Sequence, residues 1–171
     1  RSVPKAAARR GHETVLEWRS IFKTACTRHA EGQLEEAMRG YREALECNPD
    51  LCEAHFNAGL IYLHRKQWHA AVDAYQKVLK QNPEWPEAHF NMAQACDKAG
   101  LPAQAIQAYG RALALTPDYF EACYNLGCAH LNAKEYIAAV RHLSRATRLR
   151  EVCPEVYNNL GQAHEGLKEL D

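Results

Sequence analysis

The sequence predicts an all-α protein made of antiparallel helix pairs, and three observations carry this prediction. The stretch CEAHFNAGLIY, which begins at Cys52, returns in related form every 34 residues, at Pro86, Phe120 and Pro154. A strict period of this length is typical of stacked helical repeats. Within each copy, apolar and small residues recur every three or four positions, as on one face of a helix. Prolines then end the first three units at Pro49, Pro83 and Pro117.

Each unit is expected to contain two closely packed helices. In the second unit, Ala58, Gly59 and Tyr62 share one helix face, and a second helix is expected to begin near Trp68. One position of every first helix carries a small residue: Ala25, Gly59, Ala93, Gly127 and Gly161. The second helices carry small residues at Ala37, Ala71, Ala105 and Ala139, and larger ones four positions later at Tyr41, Tyr75, Tyr109 and Leu143. The small residues predict close approach, and the larger ones predict filling of the space toward the next unit.

Local signals mark the ends of these helices. Gly32 and Gly100 fall in turns between helices, where a left-handed residue costs glycine little. Pro86 and Pro154 are expected in the first turn of their helices, where the missing N–H is not needed. Helices are expected from Thr14 onward, and residues 1–13 are interpreted as a basic tail or linker.

This register of small residue, aromatic, small residue and proline resembles the tetratricopeptide repeat (TPR) family. The resemblance divides the array at 14–171 into repeats at 18–51, 52–85, 86–119 and 120–153, with a partial fifth at 154–171. It implies a right-handed superhelical solenoid of antiparallel helix pairs. No repeat can bury its apolar face alone, so stability should accumulate at the interfaces between neighbours.

Composition argues against several classes of partner. Lys plus Arg and Asp plus Glu each number 21, so the formal net charge is zero. No overall field therefore favours nucleic acid or an anionic membrane surface. No apolar run approaches the roughly 18 residues that a membrane-spanning helix needs. Seven cysteines without a CxxC pair are interpreted as reduced structural thiols, which favours a cytoplasmic location. Because the chain lacks an initial Met and stops inside a repeat, we expect it to be a fragment.

A polar stripe along the first helices is the main indication of function. Its central column is a repeated asparagine at Asn57, Asn91, Asn125 and Asn159. Each of the first three follows an aromatic residue: Phe56, Phe90 or Tyr124. Further members of the stripe are Glu53, Glu87, Glu121, Gln94, Lys98 and Asn132. In the TPR family the first helices line the inside of the superhelix, so the resemblance places this stripe in a concave groove.

A carboxamide offers one acceptor and two donors, which suits it to bind the backbone of an extended peptide. The column is similar to the asparagine ladder in the superhelical TPR domain of O-GlcNAc transferase. We expect its amides to be unpaired by other side chains and to face one continuous groove. The alternative is a capping or spacing role, although asparagine is a poor residue for a helix interior. The first repeat has Lys23 at this position, so the ladder should stop after the second.

The other polar positions have simpler interpretations. The glutamates either stabilise the first helical turn or form an acidic rim that selects basic peptides, and the former is favoured. The family's clamp for chaperone carboxyl termini is not expected, because its basic positions are occupied by other residues, among them Phe22 and Glu87. The histidines show no HExxH motif or pair spaced by four, so they are interpreted as packing residues. No catalytic constellation, metal site or cofactor is expected.

We therefore expect a protein-interaction scaffold that binds an extended or helical peptide in its groove. Two alternatives stay open. The array could select substrates for a larger enzyme, such as a glycosyltransferase. It could also self-assemble into a homo-oligomer, because the last helix leaves Tyr157, Leu160 and His164 without a following helix.

Overall fold

The computed structural model describes the backbone of residues 5–169 and the side chains of residues 17–169. Over these residues every regular element is a helix. The helices are α1 (Lys5–Ala30), α2 (Leu34–Cys47), α3 (Cys52–His64), α4 (Trp68–Gln81), α5 (Pro86–Lys98), α6 (Pro102–Leu115), α7 (Phe120–Asn132), α8 (Tyr136–Leu149) and α9 (Pro154–Lys168). In the described part of the chain, no helix has the length and apolar character needed to cross a membrane.

The first helix begins earlier than the sequence pattern indicates. We expect helix from Thr14, whereas α1 is helical from Lys5, so most of the tail expected at residues 1–13 belongs to this helix. Apolar periodicity is absent there, but residues 6–8 are three consecutive alanines, the strongest helix formers. Intrinsic helix propensity therefore accounts for a helical start that apolar periodicity does not indicate. Residues 1–4 of the expected tail lie outside the described residues.

The turns between paired helices share one backbone requirement. Gly32 and Gly100 have φ of 77° and 75°, which confirms their predicted left-handed conformation. In the other two inner turns the same place is taken by Lys66 and Lys134, with φ of 58° and 59°. The left-handed region is uncommon for residues with a Cβ. The geometry of the helix pair, rather than the residue, therefore imposes this conformation.

The chain forms two compact units, residues Arg1–Asn82 and Pro83–Asp171. In the first unit α1 packs on α2, α2 on α3, and α3 on α4. Tyr41, Tyr75 and Ile61 are fully buried in its core. A Cβ placed on Gly59 would lie 2.7 Å from the Tyr75 ring, so the close approach predicted for this glycine is present.

In the second unit α5 packs on α6, α6 on α7, α7 on α8, and α8 on α9. A Cβ on Gly127 would lie 2.7 Å from Cγ of Leu143, again as the register predicts. Gly161 differs, because nothing lies within 4 Å of a Cβ at that position. Gly166 makes the close contact of α9 instead, where a Cβ would meet the Tyr136 ring.

Candidate functional site

The four repeated asparagines lie on the first helix of a pair: α3, α5, α7 and α9. All four side chains are half-buried. A half-buried amide can contact neighbouring side chains while part of it stays accessible. The hydrogen bonds around each amide decide what it can offer to a ligand.

In the first unit, Asn57 belongs to a small polar network. Its Nδ2 donates to Sγ of Cys26 on α1 across 3.6 Å. The Tyr41 hydroxyl lies 3.1 Å from Nδ1 of His29 and 3.8 Å from the Cys26 sulfur. Burial raises the pKa of Tyr41, and a hydrogen bond from Asn57 opposes that rise. Asn57 is therefore part of the polar network that surrounds the buried Tyr41 hydroxyl.

In the second unit, Asn159 makes the equivalent contacts with α7. Its Nδ2 donates to the Tyr124 hydroxyl across 3.1 Å and to Cys128 Sγ across 3.2 Å. Burial raises the pKa of Tyr124 to about 12, and the bond from Asn159 opposes this rise. Because Leu143 stands where other repeats carry tyrosine, Tyr124 of the same repeat supplies the hydroxyl.

Asn125 also bonds a buried tyrosine of the preceding repeat. Burial raises the pKa of Tyr109, and a hydrogen bond from the Asn125 side chain acts in the opposite direction. The Asn91 side chain makes no hydrogen bond to any described residue of its own unit.

The expectation that these amides are unpaired is therefore wrong for Asn57, Asn125 and Asn159. The physical reason is the stacking of repeats. The asparagine of one first helix falls beside the cysteine that lies 31 positions earlier, as for Asn57 with Cys26 and Asn159 with Cys128. A half-buried amide at such an interface bonds the polar atoms that the interface already contains.

A cavity of about 220 Å³ opens beside Asn125 in the second unit. It brings together four of the residues predicted from the stripe: Gln94, Lys98, Asn125 and Asn132. Cys128 lines the same cavity, and so do Asp97, Tyr109 and Ala129, which the sequence analysis did not identify. Tyr109 reaches this space from α6, and no periodic pattern on α5 or α7 could have indicated it. The cavity combines three amides, one cation and one carboxylate.

The aromatic members of the stripe are less accessible than expected. Phe90 is 9% exposed and packs between Tyr109 and Tyr119, with ring centroids at 5.8 and 4.9 Å. Phe56 is half-buried and lies edge-on to Tyr75 at 5.7 Å. Phenylalanine rings in this setting contribute mainly to the core.

The glutamates Glu53, Glu87 and Glu121 are all exposed. Glu121 forms an ion pair of 3.1 Å with Arg150, whose guanidinium lies 3.9 Å above the Phe120 ring. Glu155 stands 34 residues after Glu121, and a hydrogen bond to its own backbone amide lowers the pKa of this carboxyl group. That contact fits stabilisation of a first helical turn.

Histidines support the backbone near the repeat boundaries. Nε2 of His55 lies 2.9 Å from the Pro49 carbonyl oxygen, and Nε2 of His89 lies at the same distance from that of Pro83. His130 Nδ1 lies 2.6 Å from a Glu135 oxygen, and its ring stacks on His142 at 5.5 Å. Over the described residues, no three His, Cys, Asp or Glu side chains are grouped so that they could hold a metal ion.

Comparison with known proteins agrees with the repeat pattern. Three models for the TPR or tetratricopeptide repeat match residues 27–65, 66–120 and 98–163. No curated protein matches the sequence significantly.

Solved structures resemble this chain at low sequence identity. A crystal structure of MamA protein superposes on this chain with a TM-score of 0.84. The two sequences are 23% identical, and the match covers 92% of this chain and 84% of the MamA chain. YrrB, described as a TPR protein with an unusual peptide-binding site, is 21% identical over 86% of this chain and 76% of its own (TM-score 0.82). The structure described as the first TPR of Spaghetti (RPAP3) bound to the HSP90 peptide SRMEEVD has a TM-score of 0.66. Its sequence is 23% identical, and the match covers 68% of this chain and 93% of the RPAP3 chain. The predicted all-α TPR superhelical fold class is thereby confirmed.

Proposed function

Because the chain belongs to the tetratricopeptide repeat family, we propose that it is a protein-interaction scaffold that binds a peptide segment beside α5 and α7, two first helices of its second unit. The observation that carries this proposal is the cavity of the second unit. Amide groups from Gln94, Asn125 and Asn132 line it together with Lys98. Such groups bond the peptide backbone and polar side chains with little dependence on sequence. Two of the similar structures are described by a bound peptide or a peptide-binding site.

The test begins with a peptide selected from a random displayed library against the complete chain. Replacement of Gln94 and Asn132 by Ala should weaken its binding, since each lost neutral hydrogen bond costs about 0.5–1.5 kcal/mol. Stability should hardly change, because alanine is the better helix former and the Asn132 side chain is exposed. A matched variant, Gln76→Ala, alters an exposed glutamine of α4 outside this cavity. Equal affinities of all three proteins would refute this placement of the site.

Self-assembly is a second candidate, and the surface of α9 favours it. Tyr157 is 51% exposed, and a Cβ on Gly161 would meet open space. The equivalent Gly59 and Gly127 are covered by the following helix of their pair. Light scattering over a range of concentrations should then show a mass that rises with concentration, and Tyr157→Lys should abolish the rise. A constant monomeric mass would exclude this candidate.

A further inference from the structure

We propose that the outer face of α8 is a second interaction surface, which binds an acidic peptide segment of another protein. This face consists of Ile137, Arg141, Arg145 and Arg148. Each arginine lies three or four positions after the preceding member, so all four residues share one side of the helix. None of them lines the cavity beside α5 and α7, so this surface is separate from the peptide site proposed above.

The opposite side of α8 is packed inside the second unit. Ala139, Leu143 and Ala146 are fully buried, and α8 packs on α7 and α9. These three positions lie about half a helical turn away from the arginines. Arg141 and Arg148 are accordingly exposed. The packing of α8 therefore leaves the outer face free for a partner.

The positive charge of the outer face is not neutralised within the described part of the chain. Helix α8 contains no Asp or Glu. The side chains of Arg141 and Arg148 make no hydrogen bond or ion pair with any described residue. Arg145 donates to the carbonyl oxygen of Pro117 across 2.7 Å, which orients its guanidinium but supplies no negative charge.

Two carboxylates near the ends of α8 are already engaged by other groups. Glu135, at the N-cap position of α8, lies 2.6 Å from Nδ1 of His130. Glu121 pairs with Arg150, which follows the last turn of α8, across 3.1 Å. Three guanidinium charges of the outer face are therefore left without a carboxylate. Carboxylates of a partner complement these charges.

An acidic peptide fits this face better than a nucleic acid or a membrane does. The chain has 21 acidic and 21 basic residues, so it has no overall attraction for a long polyanion. Single-stranded nucleic acids are bound largely by stacking on aromatic rings, whereas Tyr136 of α8 is half-buried against Gly166. A membrane-binding helix needs a free apolar face, and that of α8 packs on α7 and α9. Ile137, which is 71% exposed, offers one aliphatic contact to a peptide side chain.

Fluorescence anisotropy with two labelled synthetic probes tests the charge requirement. The first probe is an alanine-rich helical peptide with one Leu and with Glu at spacings of three and four, which repeats the spacing of the arginines. The second probe has Gln in place of every Glu. The complete chain should bind the Glu probe about tenfold more tightly, as expected for three exposed ion pairs, and added salt should weaken this binding. Equal binding of both probes, or no binding of the Glu probe, would overturn the inference.

Charge reversal tests whether the binding occurs on α8. Arg141→Glu combined with Arg148→Glu should lose the preference for the Glu probe and prefer a third probe, which has Lys in place of Glu. Such an exchange of preference cannot arise from unfolding. The matched control, Arg42→Glu combined with Lys80→Glu, changes the net charge equally at exposed positions of α2 and α4. The control should keep the natural preference, and the same exchange in it would overturn the inference.

Three further measurements separate this proposal from its alternatives. The cavity variant Gln94→Ala with Asn132→Ala should bind the Glu probe unchanged, so this inference and the proposed peptide site can fail independently. A loss of binding in that variant would place the probe in the cavity and overturn the inference. Single-stranded oligothymidylate and vesicles of phosphatidylserine and phosphatidylcholine should both bind more weakly than the Glu probe. Tighter binding of either would overturn the assignment of an acidic peptide.

Discussion

Gly127 and Gly161 occupy equivalent positions of α7 and α9, so replacing each of them tests where a first helix packs closely on a second helix. Both are helical and stand 34 residues apart, but only Gly127 faces a second helix. Replacement by Ala improves helix propensity at both places by about 1 kcal/mol. A Cβ on Gly127 would also lie 2.7 and 2.9 Å from two carbons of Leu143 and 3.2 Å from its backbone nitrogen. Since backbone cannot give way as a flexible side chain can, overpacking of about 1–3 kcal/mol is expected there.

The difference between the two variants isolates this packing cost, because the propensity gain is common to both. Gly161→Ala should stabilise the protein by about 1 kcal/mol, whereas Gly127→Ala should be neutral or destabilise it by up to about 2 kcal/mol. Gly127→Leu should be worse than either. Urea denaturation followed by helical circular dichroism measures all three. Equal shifts for both alanine variants would refute the packing register.

Three further predictions concern polar groups. Burial lowers the pKa of His142, so the folded protein favours its neutral form, and this contribution to stability is complete above the ordinary pKa of 6.5 and is lost as pH falls through the lowered pKa. Urea titrations at several pH values should therefore show a smaller loss of stability at low pH in His142→Gln than in the natural chain. An equal loss of stability in the two proteins would contradict this. Asn125→Ala should destabilise the chain by about 0.5–1.5 kcal/mol, because Tyr109 loses a hydrogen-bond partner; unchanged unfolding in urea would contradict a stabilising role of this bond. Thiol labelling at pH 7.5 should modify the exposed Cys47 rapidly, whereas Cys96, whose pKa burial raises, should react only after unfolding; equal rates measured by mass spectrometry would contradict the structure.

Helix pairing could be predicted from the sequence because its signals are local or strictly repeated. Pro86 sets the start of α5, and Gly32 takes a left-handed conformation, by virtue of their own covalent geometry. The recurrence of Gly59 and Gly127 identifies where two helices approach closely. Such features depend on residues within one unit, and repetition confirms each of them several times.

Tertiary structure decided what the candidate site can offer. The asparagine column is visible in the sequence, but a pattern along one helix does not show that Asn159 bonds Tyr124 and Cys128, which lie 35 and 31 positions earlier. Likewise, Phe90 has the same period as the asparagines and yet lies in the core. Periodicity gives the face of a helix on which a residue stands. The partners of a half-buried group depend on how neighbouring helices stack, and that geometry exists only in the folded chain.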